Sequence, residues 1–199
     1  MRCFTAVFGL MLLILAPVSA WADTDVEEAL ADRYVGAEDA PVTIIEYSSL
    51  TCPHCAGFHT GALSEILDTY VETGKVKFIV RDFPLDGRAA AAALLARCAP
   101  AERYFPLVDL MFKQQQKWAG SPDPLAALSE MGRFAGMSQS DIDACFENED
   151  LYAGILKKKA EYQNENDISS TPTFFINGEK LSGNQPFSEF REIIESHLK

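Results

Sequence analysis

The sequence predicts an α/β fold: a small mixed sheet with helices on its faces and a helical block inserted into it. Three observations carry that expectation. A strand, a helix and a second strand follow one another over residues 42–81. A long, purely helical pattern then runs to about residue 164. A strand hairpin and one amphipathic helix close the chain, so strands begin and end the sequence around a run of helices.

The first 22 of the 199 residues read as a secretory signal peptide. Met1-Arg2 gives a short positive start, residues 4–16 are apolar and uncharged, and small residues offer cleavage after Ala20 or Ala22. The alternative is an uncleaved anchor helix, but the apolar run is short for a span of about 20 residues. Cys3 precedes the apolar run and so cannot become the first residue of a mature lipoprotein. The rest suits one ordinary domain, divided as 23–85 (first half of the sheet unit), 86–150 (helical insert) and 151–199 (a returning helix and the second half).

Residues 23–41 are acidic and weakly patterned, with one short edge strand expected at 33–35. Residues 42–47 (Val-Thr-Ile-Ile-Glu-Tyr) are β-branched and apolar, hence a strand. Hydroxyl-rich residues 48–51 can cap a helix, and Pro53 is tolerated in its first turn. Cys55, His59, Leu63, Ile66, Leu67 and Tyr70 recur at helical spacing, and Gly74 ends that helix. Residues 76–81 form a second strand, parallel to the first through a right-handed crossover. Helices are then expected over 88–99, over 104–118, from the Asp123 cap to about Gly136, from Ser138, and from an Asp150 cap to about Asn164. Gln114-Gln115-Gln116 is too short to count as low complexity. Residues 171–176, the Asn177-Gly178 turn and residues 179–181 make a hairpin. Phe187, Phe190, Ile193, Ile194 and Leu198 give the last helix one apolar face.

The formal net charge is −12, and losing Arg2 with the leader makes the chain more acidic still. An acidic chain without a basic stripe argues against nucleic acid as a partner. Lys157-Lys158-Lys159 is most simply a solvated helix face.

Chemistry concentrates at Thr51-Cys52-Pro53-His54-Cys55. The spacing puts Cys52 at a helix N-terminus, where backbone N–H groups and the helix dipole favour a thiolate. His54 can add to this as an imidazolium, the alternative being a solvent-facing residue with no electrostatic role. A stabilised thiolate favours the reduced state and makes the disulfide a ready oxidant. Cys55, one turn further in, would be the resolving thiol and needs a proton partner. Glu46 interrupts an apolar strand and is the candidate proton relay, unless it sits in water at a strand end. Cys52, Cys55 and His59 could ligate a metal, but no fourth ligand is near, so no metal is expected. Cleavage leaves Cys98 and Cys145 besides the active pair; on two helices in an oxidising space they are expected to form a structural disulfide rather than two free thiols. Thr171-Pro172 places a proline before a strand, a position tolerated at a strand start or edge.

These motifs together resemble the DsbA family of thiol:disulfide interchange proteins. The resemblance rests on residues 46–55 (Glu-Tyr-Ser-Ser-Leu-Thr-Cys-Pro-His-Cys), 81–85 (Arg-Asp-Phe-Pro-Leu) and 171–178 (Thr-Pro-Thr-Phe-Phe-Ile-Asn-Gly), and covers nearly all of the chain beyond the leader. It implies a thioredoxin fold with an inserted helical domain. It implies Cys52 as the attacking cysteine with Cys55 its partner, Pro53 and His54 tuning them, and Pro172 as a cis-proline facing the disulfide. Thr171 would pair with an extended substrate, and Glu46 would be the family's buried acid. No cofactor beyond the cysteine pair is implied. The implied partners are reduced, unfolded exported proteins and a DsbB-type quinone-linked membrane oxidase, for a periplasmic monomer. Thr171 departs from the Val of the best-studied oxidases, His59 stands where a second acid is common, and Ser170 where Gly is frequent. Isomerase or reductase activity is the alternative, and a non-catalytic peptide-binding or chaperone module is a lesser one.

Overall fold

The computed structural model describes residues 25–199. The expected leader, residues 1–22 with its cleavage sites, lies outside them. The elements run α1 (Val26–Ala29), β1 (Arg33–Val35), β2 (Val42–Ser48), α2 (Pro53–His59), α3 (Ala62–Ile66) and β3 (Val76–Asp82). Then come α4 (Gly87–Cys98), α5 (Tyr104–Lys113), α6 (Gln115–Ala119), α7 (Pro124–Phe134), α8 (Gln139–Phe146) and α9 (Glu149–Glu165). The chain closes with β4 (Thr173–Ile176), β5 (Glu179–Ser182) and α10 (Phe187–His197).

The five strands form one mixed sheet in the order β1-β3-β2-β4-β5. As expected, β2 and β3 are parallel, while β1 lies antiparallel on β3 and the β4–β5 hairpin antiparallel on β2. β2 is therefore central, and Glu46 stands opposite Val80 on one side and Phe174 on the other. Alternation along β2 sends Ile44 to one face, where Phe58 packs 4.6 Å from Phe174 and 5.2 Å from Phe190. Tyr47 goes to the opposite face, 5.1 Å from Tyr162 of α9, where Arg81 ties its hydroxyl to Asp32. These two sides are the layers of a thioredoxin fold, α2, α3 and α10 on the first and α9 on the second.

Helices α4–α8 form the insert, joined by a Cys98–Cys145 disulfide between α4 and α8 across 47 residues. Arg97, buried, holds Asp82 at 2.6 Å and the carbonyls of Ala29 and Ala31 at 3.0 and 2.6 Å. The insert is thus anchored to the last residue of β3 and to the turn after α1. No helix of the described residues is long and apolar enough to cross a membrane.

Three expectations about elements need correction. The helix expected from Pro53 to Gly74 is broken at Thr60-Gly61: the Thr60 hydroxyl turns back on the Ala56 carbonyl at 2.8 Å, and Gly61 takes φ −128°, ψ −106°. After α3 the chain widens into one π turn over Leu67–Val71 before Gly74, at φ +72°, ends it in a conformation that suits glycine. The expected helix 104–118 is two helices, interrupted at Gln114. Asn148, not Asp150, caps α9, accepting from the Leu151 N–H at 2.9 Å.

Candidate active site

Cys52 is the N-cap of α2, extended at φ −78°, ψ 120°, and uses no side chain to cap the helix. Its sulfur is therefore free, and it points across to the second half of the sheet, 3.3 Å from the Thr171 carbonyl oxygen. The Thr171-Pro172 peptide is cis. Two segments 119 residues apart thus meet at one sulfur, and Cys52 and Cys55 are unbridged, both buried. Among the described residues no group of three or more His, Cys, Asp or Glu could hold a metal ion.

The electrostatics of the two cysteines are opposite. The Cys52 thiol is lowered from 9.0 to about 5. The first cause is the hydrogen bond from the Cys55 thiol, opposed by burial; the Thr171 side chain and the backbone N–H groups of Cys55 and His54 also lower it. The Thr171 hydroxyl is buried without a partner while Cys52 is a thiol, so it is placed to serve the sulfur once it is charged. Cys55 is pushed far up, first by burial, then by the hydrogen bond it gives Cys52 and by the Glu46 charge. The arrangement can hold one thiolate at Cys52 and one neutral thiol at Cys55. Pro53 and His54 are exposed on the same turn. His54 contributes its backbone N–H to the sulfur.

Glu46 is fully buried, which overturns the reading of a carboxylate in water. One oxygen bonds His59 Nε2 at 2.8 Å, and the other is buried and unpartnered. His59, one turn beyond Cys55 on α2, is buried and stacks on Phe112 of α5 with ring centroids 4.1 Å apart. The ring also borders a cavity of about 460 Å³ between α3 and α5, lined by Leu63, Leu67, Phe105 and Val108 with Lys113 and Asp109. A buried acid is thereby linked through an imidazole to a space outside the core.

Sequence reasoning placed Cys52, Cys55, Glu46, Thr171 and Pro172 together on the strength of the resemblance, and they are together. It missed that His59 pairs with Glu46, although spacing four beyond Cys55 puts both on one helix face. It also missed Gln115, whose amide donates to the Leu50 carbonyl at 2.9 Å and the Cys52 carbonyl at 3.0 Å. The only trace of Gln115 in the sequence is a glutamine run. Cys98 and Cys145 lie in the insert, bridged to each other and apart from the reactive pair.

A family model described as thioredoxin matches residues 28–196. The chain is 29% identical over 169 residues to a candidate protein-disulfide oxidoreductase of Rickettsia conorii, covering 84% of this chain but 61% of that protein's length. Among solved structures, alpha-DsbA1 of Wolbachia pipientis is similar at TM-score 0.78 and 30% identity, covering 87% of this chain and 95% of that one. A protein-disulfide isomerase of Novosphingobium aromaticivorans is similar at TM-score 0.73 and 28% identity, covering 85% of this chain and all (100%) of that one.

Proposed function

This chain belongs to the DsbA family of thiol:disulfide interchange proteins, and we propose that it is an exported, periplasmic dithiol oxidase that donates its Cys52–Cys55 disulfide to folding proteins. The observation that carries the reading is the split between a Cys52 thiol lowered to about 5 and a Cys55 thiol pushed up. A favoured thiolate at Cys52 stabilises the reduced state and so makes the disulfide easy to give away.

In the forward direction a substrate thiolate attacks Cys52 Sγ of the disulfide. The Cys52–Cys55 bond breaks, a substrate–Cys52 bond forms, and Cys55 leaves as a thiolate that takes a proton. Glu46 is the proton relay for that step, its second oxygen unpartnered and its charge felt at Cys55, with His59 holding the first oxygen. A second substrate thiolate then attacks the substrate sulfur and releases Cys52 as thiolate. The substrate loses two electrons and the protein gains them. Thr171 and Pro172 offer the opposite wall, where an extended substrate strand would lie beside the sulfur. A DsbB-type membrane oxidase would take the electrons onward; the protein works as a monomer and needs no cofactor beyond the cysteine pair. Cys98–Cys145 is a structural bridge of the insert.

The second reading is disulfide isomerase, favoured by the likeness to the Novosphingobium protein-disulfide isomerase. The redox potential of the pair separates the two, together with oxidation of a reduced, unfolded substrate measured beside rescue of a scrambled one. The expected result is an oxidising potential, loss of oxidation in Cys52→Ser, and mixed disulfides trapped by Cys55→Ser. A potential near that of thioredoxin, about −270 mV, would overturn the oxidase reading.

A further inference from the structure

The glutamine run lies where the expected long helix fails. Gln114 leaves the helix at φ −110°, ψ 19°, and α6 restarts at Gln115. Trp118 fastens the break, its indole N–H reaching back to the Met111 carbonyl at 2.8 Å. The effect is to turn one glutamine of three inward: Gln115 is 5% exposed, while Gln116 is exposed and Gln114 half-buried. Its Nε2 gives its two hydrogens to the carbonyls of Leu50 and Cys52.

Those two carbonyls belong to the turn that presents the reactive sulfur. Cys52 caps α2 without a side-chain hydrogen bond, so the usual cap is missing from this turn. Further ties come from α2, the sheet unit and the start of α4: the Ala56 N–H to Cys52 O at 3.1 Å, the Cys52 N–H to Ser49 O at 3.0 Å, Ser49 Oγ to Thr51 Oγ1 at 3.3 Å, and the Thr51 hydroxyl to Asp86 at 2.8 Å. Gln115 is the tie that reaches the Cys52 residue itself from the insert. A primary amide suits this place. It offers two donors from one neutral atom, whereas a lysine would bring a full charge and a serine only one hydrogen.

We propose that Gln115 is a positioning residue for the Cys52–Cys55 pair, its amide clamping the Leu50 and Cys52 carbonyls so that the insert holds the reactive turn in place. This rests on the exchange reading above. The clamp does two things. It fixes the backbone of Cys52 while its sulfur alternates between Cys55, a substrate sulfur and the Thr171 carbonyl. It also covers the Leu50 carbonyl oxygen and adds a second donor to the Cys52 oxygen, which already accepts from the Ala56 N–H at 3.1 Å, so less partial negative charge opposes an anion at Cys52.

The test is Gln115→Met, which keeps the length of the side chain and removes both donors, read by thiolate absorbance and by the pH dependence of Cys52 alkylation. The expected result is an upward move of the Cys52 titration by about one pH unit, a tenfold change in its acid constant, and a potential more reducing by about 30 mV. A folded variant, by circular dichroism, with both readouts unchanged overturns the proposal. A second measurement needs no variant: in ¹⁵N-labelled wild-type protein the Gln115 side-chain amide should exchange far more slowly than that of Gln116 and shift when the pair is oxidised. Exchange as fast as Gln116, or no shift, overturns the proposal even if Gln115→Met fails to fold. Wild-type Cys52 titrating near 8.5 would instead sink the exchange reading, so the two failures are told apart.

Discussion

Moving the reduced protein from about pH 8 to about pH 4 should lower its stability relative to its disulfide form, a loss that follows from the linkage between proton binding and folding. The Cys52 thiol is lowered from 9.0 to about 5, chiefly by the Cys55 thiol, with Thr171 and two backbone N–H groups adding to it. A lowered folded-state value contributes stability above the unfolded value and loses it as pH falls through about 5. At pH 7 a shift of that size corresponds to about 3 kcal/mol. Cys52 is 6% exposed as a residue, yet Pro53 and His54 beside it face water, and screening brings the figure to about 1–2 kcal/mol. Over a two-electron couple that is about 20–40 mV in the oxidising direction. The assay is urea denaturation of both redox forms at several pH values. The disulfide form has no Cys52 proton to lose and cancels the other titrating groups. A gap between the forms that stays constant from about pH 4 to pH 8 would refute the reasoning, because no thiolate then contributes.

Three further outcomes are expected. Replacing Cys98 and Cys145 together by Ala opens a loop of 47 residues and should cost up to about 4 kcal/mol by urea denaturation, while thiolate absorbance at Cys52 persists. His59→Leu leaves the Glu46 carboxyl buried with neither oxygen paired and should cost about 3 kcal/mol; adding Glu46→Gln should recover part of that, and a purely additive double variant would deny the coupling. Thr171→Val removes the hydroxyl beside the sulfur and should raise the pH of half-maximal Cys52 alkylation; no change would place the favourable groups in the backbone and Cys55 alone.

The strands of the sheet were legible because each carries its own pattern. Residues 42–47 and 76–81 are apolar, β-branched runs, and Asn177-Gly178 is a turn signal that needs no tertiary information. Each is within a residue or so of its observed strand. Helix continuity was not legible. Residues 53–74 and 104–118 keep a helical period straight through their breaks, because apolar spacing reports which side faces the core and not whether the backbone stays wound. Thr60-Gly61 and Gln114 interrupt the helices through a hydroxyl turned onto a carbonyl and an indole bond across the break, contacts between atoms that no period encodes.

Local chemistry named Cys52 and Cys55 from their spacing alone, and the leader-like start set an oxidising compartment as the expectation. Glu46 was suspicious in the sequence because an acid in an apolar strand needs a reason. Whether it lay in water or in the core depended on β2 having neighbours on both sides, which only the sheet order supplies. His59 and Gln115 are ordinary polar residues until α2 is laid against β2 and α5–α6 against the reactive turn. Their partners lie 13, 65 and 63 residues away. A side chain's chemical type is written in the chain, but the group it must satisfy once water is excluded is chosen by packing.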